Sequence, residues 1–368
     1  MPRLRVIVAP DSFKGSASAT VVAAAIARGW RETRPQDDVT EVPMADGGEG
    51  TLDAFEVGVV GAERRFVDVP GPDGRPVRAP WLMLPGGTAV VELAAASGLQ
   101  LMSSPAPYEA HTRGVGRVVA TALDAGATRI VIGLGGSAST DAGAGLLSEL
   151  GARLLDSVGD VVVDGAHGVA AAARLDLTRM RPLPPRGATV LSDVVNPLFG
   201  PRGAAFVFGP QKGASIDDVL ALDSGLEHVA DLVAVDPRTP GAGAAGGTGF
   251  ALLAWGASLV SGAEAVAALV GLDDVVAGAD VVVTGEGRFD DQTADGKVVS
   301  FVVGLADRAG VPTMLVAGSV EAPTDGFAAV VSTTELAGGA EASRAGAASW
   351  AERAGAELAR RQTLSEAS

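Results

Sequence analysis

At 368 residues, 47% hydrophobic and 20% charged, the chain is long enough for two domains and apolar enough to bury a large core, which excludes a disordered protein. The net charge is −16 with no basic run, which argues against nucleic acid or an anionic membrane as partner, and the absence of cysteine excludes disulfides, thiolate catalysis and zinc–thiolate sites. No apolar run approaches the ~18–20 residues of a membrane-spanning helix, and no cleavage site follows the apolar N-terminal segment, so a cytoplasmic protein is expected.

The first element, LRVIVAP at 4–10, is a short β-branched run closed by proline and reads as a buried strand. The helix expected after it covers 17–32, with Ser16 as cap, because a serine hydroxyl can accept from an orphaned backbone N–H. A second strand lies in DVTEVPMADGG, 38–48. The pattern then becomes more mixed. It holds a Pro/Gly-rich, hairpin-like piece at 69–80, a strand in 86–97 and a strand with a glycine loop in TRIVIGLGGSASTDAGAG, 128–145. GATVLSDVVNPLFGPRGAAFVFGPQKGAS (187–215) and a glycine tract at 241–256 complete it. Three more strands lie at 279–287, 311–319 and 327–333, with helical spacing over 297–309 and 340–361 and a frayed tail beyond. Strand–helix alternation predicts parallel strands with helices on both faces. The expected fold is therefore α/β: a doubly wound, parallel five-stranded domain built from both chain ends, 1–48 and 279–368, with a second α/β domain, 49–278, inserted.

Open parallel sheets bind ligands outside the carboxyl ends of their strands, so the residues just beyond each strand are the site candidates. After the first strand come Asp11 and Lys14, after the second Asp46, and after the third Glu286, Arg288, Asp290, Asp291, Gln292 and Lys297. Of 28 basic residues only Lys14, Lys212 and Lys297 are lysine, each beside glycine. A compact ammonium fits a narrow site that a planar guanidinium does not, so these positions invite a reason. In the inserted domain, Gly135, Gly136, Ser137 and Ser139 offer N–H groups and hydroxyls to a phosphate, although tight strand-to-helix turns use glycine in any case. Asp193 could accept a proton or hold Mg²⁺, and Asn196, the only asparagine, suits a hydroxyl or carboxylate ligand or an Asx-turn before Pro197. His111, His167 and His228 are not spaced as metal ligands.

Seven segments in order, APDSFKGS, MADGGEGT, ELAAASGL, GLGGSASTDAGAG, DVVNPLFGPRGAAFVFGPQKGAS, PGAGAAGGTGFAL and TGEGRFDDQTADGK, resemble the bacterial glycerate kinase family across essentially the whole chain. The sequence departs from that pattern at His111, Arg117, Ser192, Asp291 and Val299. The resemblance implies a flavodoxin-like domain carrying an inserted domain. It further implies phosphorylation of D-glycerate with ATP and Mg²⁺, the 2-position favoured, in organic-acid and glyoxylate catabolism. On that basis the ATP phosphates are expected at Gly135, Gly136, Ser137 and Lys14, and the metal among Asp46, Glu286 and Asp193. Glycerate is expected at Arg288, Lys212, Asn196 and Asp46, and catalysis is assigned to Asp193 as proton acceptor with Lys14 and Asp290. A homo-oligomer is compatible with this reading. The alternatives are a kinase for a related hydroxy or sugar acid and a non-catalytic organic-acid sensor. A sensor would not need converging carboxylates and would usually carry a DNA-binding or signalling module.

Overall fold

The computed structural model of the chain describes residues 3–290 and 298–366, the last two as backbone only. In chain order the strands are β1 (Arg5–Val8), β2 (Asp38–Glu41), β3 (Glu63–Pro70), β4 (Pro76–Leu84), β5 (Thr88–Glu92) and β6 (Arg129–Gly133). They continue with β7 (Arg153–Leu155), β8 (Arg174–Asp176), β9 (Ala188–Leu191), β10 (Ser258–Val260), β11 (Val281–Phe289), β12 (Thr313–Val320) and β13 (Ala329–Ser332). The chain divides into two compact units. The first comprises 1–46, 53–60 and 263–368; the second comprises 47–52 and 61–262.

The first unit carries a five-stranded sheet in the order β13-β12-β11-β1-β2, every neighbouring pair parallel. This is the doubly wound sheet expected from both chain ends, and each of its strands falls on one of the predicted segments. On one face, Val6, Val8, Val281, Val283, Met314 and Val316 pack against helices Ala19–Thr33 and Ala347–Glu366. On the other, Phe289, Leu315 and Ala317 pack against Val299 of helix Val298–Ala309.

The first helix begins later than its sequence suggests. Phe13 and Ala17 pair with each other through both backbone N–H groups, so 13–17 closes as a tight loop. Ser18, rather than Ser16, then becomes the cap, its hydroxyl accepting from Val21 N at 3.4 Å. The helical pattern at 340–361 is two helices, Ala340–Ala345 and Ala347–Glu366, broken at Gly346. Helices Ala19–Thr33 and Ala347–Glu366 touch backbone to backbone. A Cβ on Gly29 would stand 1.8 Å from the Glu352 carbonyl oxygen, and one on Gly355 2.2 Å from that of Ile26.

The second unit has a mixed six-stranded sheet, β10-β9-β6-β5-β4-β3, and a two-stranded ribbon, β7-β8. β3, β4 and β5 form an antiparallel meander whose first turn is the predicted hairpin, whereas β5, β6, β9 and β10 run parallel. Ile130, Ile132, Val190 and Val91 lie in the apolar core of this unit with Val115, Val118, Leu146 and Leu252 from its helices. The loops that carry its candidate site residues leave the carboxyl ends of parallel strands β6 and β9.

Gly355→Val is expected to lower the unfolding free energy by about 3 kcal/mol or more, because the clashing atom is backbone and cannot rotate away. Arg28→Ala, which removes only the exposed 2.8 Å pair with Glu352 on the same helix contact, should cost under about 1 kcal/mol. Urea denaturation followed by circular dichroism separates the two.

Candidate active site

In the first unit, the carboxyl ends of β1, β11 and β12 open into a cleft of about 590 Å³. Asp11, Lys14, Glu286, Arg288 and Asp290 line it, so the residues expected after the first and third strands of the sheet meet here. Asp11 is 8% exposed, and its Oδ1 accepts from Ser12 N at 2.6 Å. Burial, together with the negative charges of Asp46 and Glu286, pushes its pKa up to about 7, against the opposing pull of Lys14. Lys14 Nζ lies 3.6 Å from Asp46 Oδ2, and the Asp46 charge raises the lysine's pKa. The Lys14 side chain is 75% exposed, so no narrow enclosure explains lysine at this position. Arg288 has its guanidinium engaged on two sides: 3.2 Å from Asp290 Oδ2 and 2.7 Å from Glu321 Oε2. Lys297, Asp291 and Gln292 lie outside the described residues.

In the second unit the glycine loop leaves β6. Gly136 takes a left-handed backbone (φ 75°), which residues with a side chain rarely adopt. Gly135 N donates to Gly47 O at 3.0 Å, and a Cβ on Gly135 would stand 2.3 Å from Gly48 Cα. The 47–52 segment therefore seats directly on the loop, and Leu52 N donates to the buried Glu92 at the end of β5. Lys212 lies at the other side of the loop and is 2% exposed. Its ammonium donates to the Ser139 carbonyl and reaches Ser137 Oγ at 3.5 Å. Burial pushes its pKa down to about 8, with the Asp141 charge opposing. Here the enclosure does explain lysine, since a branched guanidinium has no room in a fully packed position.

Asp193 lies beyond β9, and its Oδ1 accepts from Ser261 Oγ at 3.0 Å and Gly262 N at 2.9 Å, both just beyond β10. Asn196 Nδ2 donates to Arg202 O at 2.7 Å, which closes the loop 196–202, and the Asn196 backbone carbonyl accepts from Gly243 N of the glycine tract.

The structure thus brings Asp11, Lys14, Asp46, Glu286, Arg288 and Asp290 together in one unit, and Gly135, Gly136, Ser137 and Lys212 in the other. In the sequence Asp11 marks a strand end without a role of its own. Asp141 attracts no attention there, although it is fully buried and accepts from Thr112 N, Thr112 Oγ1 and Gly143 N. Its position inside STDAGAG was the available signal. Among the described residues no group of three or more carboxylate or histidine side chains is arranged as a preformed metal cluster, and no helix is long and apolar enough to cross a membrane.

A model described as the glycerate kinase family matches residues 6–363. The chain is 42% identical over 327 residues to "Glycerate 2-kinase" of Escherichia coli K12, with 86% of each chain covered. It is 43% identical over 332 residues to "Glycerate kinase" of Bacillus subtilis 168, covering 86% of this chain and 85% of that one. A crystal structure provisionally assigned as a glycerate kinase 2, from Salmonella typhimurium LT2, superposes with a TM-score of 0.84 at 38% identity, covering 99% of both chains.

Lys212 supplies a test by pH. Its folded pKa, about 8, lies below the ordinary 10.5, so between these values the unfolded chain binds the extra proton. The contribution of Lys212 to stability is therefore fully present above pH 10.5 and is lost as pH falls through 8. Relative to Lys212→Met, the parent chain should lose up to roughly 3 kcal/mol of stability on going from pH 10.5 to 7. Thermal or urea unfolding of both proteins across that range would reveal parallel curves if the ammonium were not buried.

Proposed function

Because the chain belongs to the glycerate kinase family, it is a phosphotransferase that uses ATP to phosphorylate glycerate, and we propose that it does so at the 2-hydroxyl, with Mg²⁺ as companion cation, in organic-acid and glyoxylate catabolism. The observation that carries the metal-dependent part is the carboxylate group at the sheet edge of the first unit. Burial and the negative charges of Asp46 and Glu286 push the Asp11 carboxyl up, which marks a crowding of carboxylates that a divalent cation would relieve. Mg²⁺ is a hard cation that takes oxygen ligands, and one or two protein carboxylates are the donors it ordinarily needs beside a phosphate. Asp46 and Glu286 would hold it, and when bound it neutralises charge on the phosphoryl oxygens.

The remaining tasks fall to the chain's own groups. The N–H groups of Gly136 and Ser137 receive the nucleotide phosphates, as N–H-lined turns do, while that of Gly135 is spent on Gly47 O and holds the turn in place. Lys212 is a positioning residue: its buried ammonium holds Ser139 O and so fixes the loop from below. Lys14, exposed on a flexible stem, supplies a movable point charge to the phosphates. Asp193, its Oδ1 fixed by Ser261 and Gly262, accepts the proton of the attacking hydroxyl through its carboxylate. Asp290 and Glu321 orient Arg288, while Asn196 keeps the loop after β9 in shape.

Incubation of the purified protein with Mg²⁺, ATP and D-glycerate, with ³¹P NMR as the readout, is expected to give a doublet, because a phosphate on the 2-carbon couples to one proton. A triplet would move the phosphate to the primary carbon and overturn the 2-position. Asp193→Asn should lower kcat by roughly 10²–10⁴-fold with both KM values nearly kept; a loss confined to KM would remove Asp193 from proton transfer.

A further inference from the structure

Binding an acid substrate requires a cation that is not already neutralised. Three described cations line the cleft of the first unit, Lys14, Arg288 and Arg344. Lys14 is paired with Asp46, and Arg288 with both Asp290 and Glu321. Arg344, exposed in the last turn of helix Ala340–Ala345, has no ion pair or hydrogen bond with any described residue. The half-buried Thr334 also lines the cleft, and its hydroxyl has no described partner either. Beside them Ser343 is fixed, its Oγ 2.7 Å from Thr333 Oγ1 in a buried contact, so the helix carrying Arg344 is anchored to the one carrying Thr334.

We propose that Arg344, with the Thr334 hydroxyl, is the carboxylate-recognising end of this cleft and receives the carboxylate of glycerate. The inference rests on the glycerate kinase reading above and names a binding residue within it. The pairing of the cations selects the residue: Lys14 and Arg288 stand against carboxylates of their own, whereas Arg344 is the one cleft cation unpaired among the described residues and so is open to a single ligand carboxylate. A guanidinium fork also suits the planar carboxylate, with two parallel N–H donors. The arginine expected for this task from the sequence, Arg288, would first have to leave two carboxylates.

The test is steady-state kinetics of Arg344→Met and Arg344→Lys beside the parent chain, with D-glycerate and ATP varied in turn. Arg344→Met should raise the KM for D-glycerate at least tenfold and leave that for ATP within about twofold, and Arg344→Lys should recover part of the loss. The thermal stabilisation that D-glycerate gives the parent should disappear in Arg344→Met, while the stabilisation by ATP with Mg²⁺ remains. That second readout separates lost binding from a fold defect. An unchanged KM for D-glycerate, or a rise in the KM for ATP instead, would overturn the proposal. A parent chain inert towards glycerate would overturn the enzymatic reading along with it, whereas an active parent with an unaffected variant would sink only the role of Arg344.

Discussion

The structure depends on backbone meeting backbone at places where a single methyl group would not fit. Between helices Ala19–Thr33 and Ala347–Glu366, Gly29 and Gly355 let the two chains of the helix pair approach until a Cβ would overlap a carbonyl oxygen. The same device recurs in the second unit, where Gly133 and Gly135 accept Gly47 and Gly48 with hypothetical Cβ contacts of 2.4 and 2.3 Å. One pair holds the core of a domain and the other holds the glycine loop after β6. Other glycines, such as Gly15, Gly50 and Gly74, have open space where a Cβ would stand and instead supply a left-handed backbone to turns.

Charge is handled locally because the whole molecule is acidic. A net charge of −16 offers no attraction to a phosphorylated or carboxylated ligand, so each site carries its own positive groups. In the first unit these stand among carboxylates and are mostly neutralised by them. In the second unit a single ammonium is taken out of water and aimed at a backbone carbonyl. Lysine serves in both settings for different reasons: reach and mobility at Lys14, small size at Lys212.

The fold class was legible because its signal is local. β1, β2, β11, β12 and β13 are short β-branched runs closed by turn residues, and their alternation with helices already implies parallel pairing. The start of the first helix was not legible, since the 13–17 loop is set by a reciprocal backbone pairing that leaves no side-chain pattern. The break at Gly346 was hidden because helical spacing continues on both sides of it. At the site, residues at strand ends could be named from sequence, but their state could not. That Arg288 is engaged on both sides, that Lys212 is enclosed and that Asp11 is pushed towards 7 all depend on neighbours far away in the chain. Arg344 had no signal at all, being one arginine on a surface helix in a chain that writes nearly every positive charge as arginine.

The register of the first unit's sheet also sets an order of events during synthesis. Val6 pairs with Val281, so β1 waits until more than two hundred further residues have been made before its central neighbour exists. Until then β1 and β2 form only a two-stranded fragment, which is marginal in water, with the apolar face of helix Ala19–Thr33 uncovered. The second unit, nearly continuous from 61 to 262, emerges complete before β11 does and can close its core first. The nascent chain therefore carries an unfinished sheet joined to a finished domain, and the interval before β11 arrives is when its apolar strands are most open to mispairing or to capture by a chaperone.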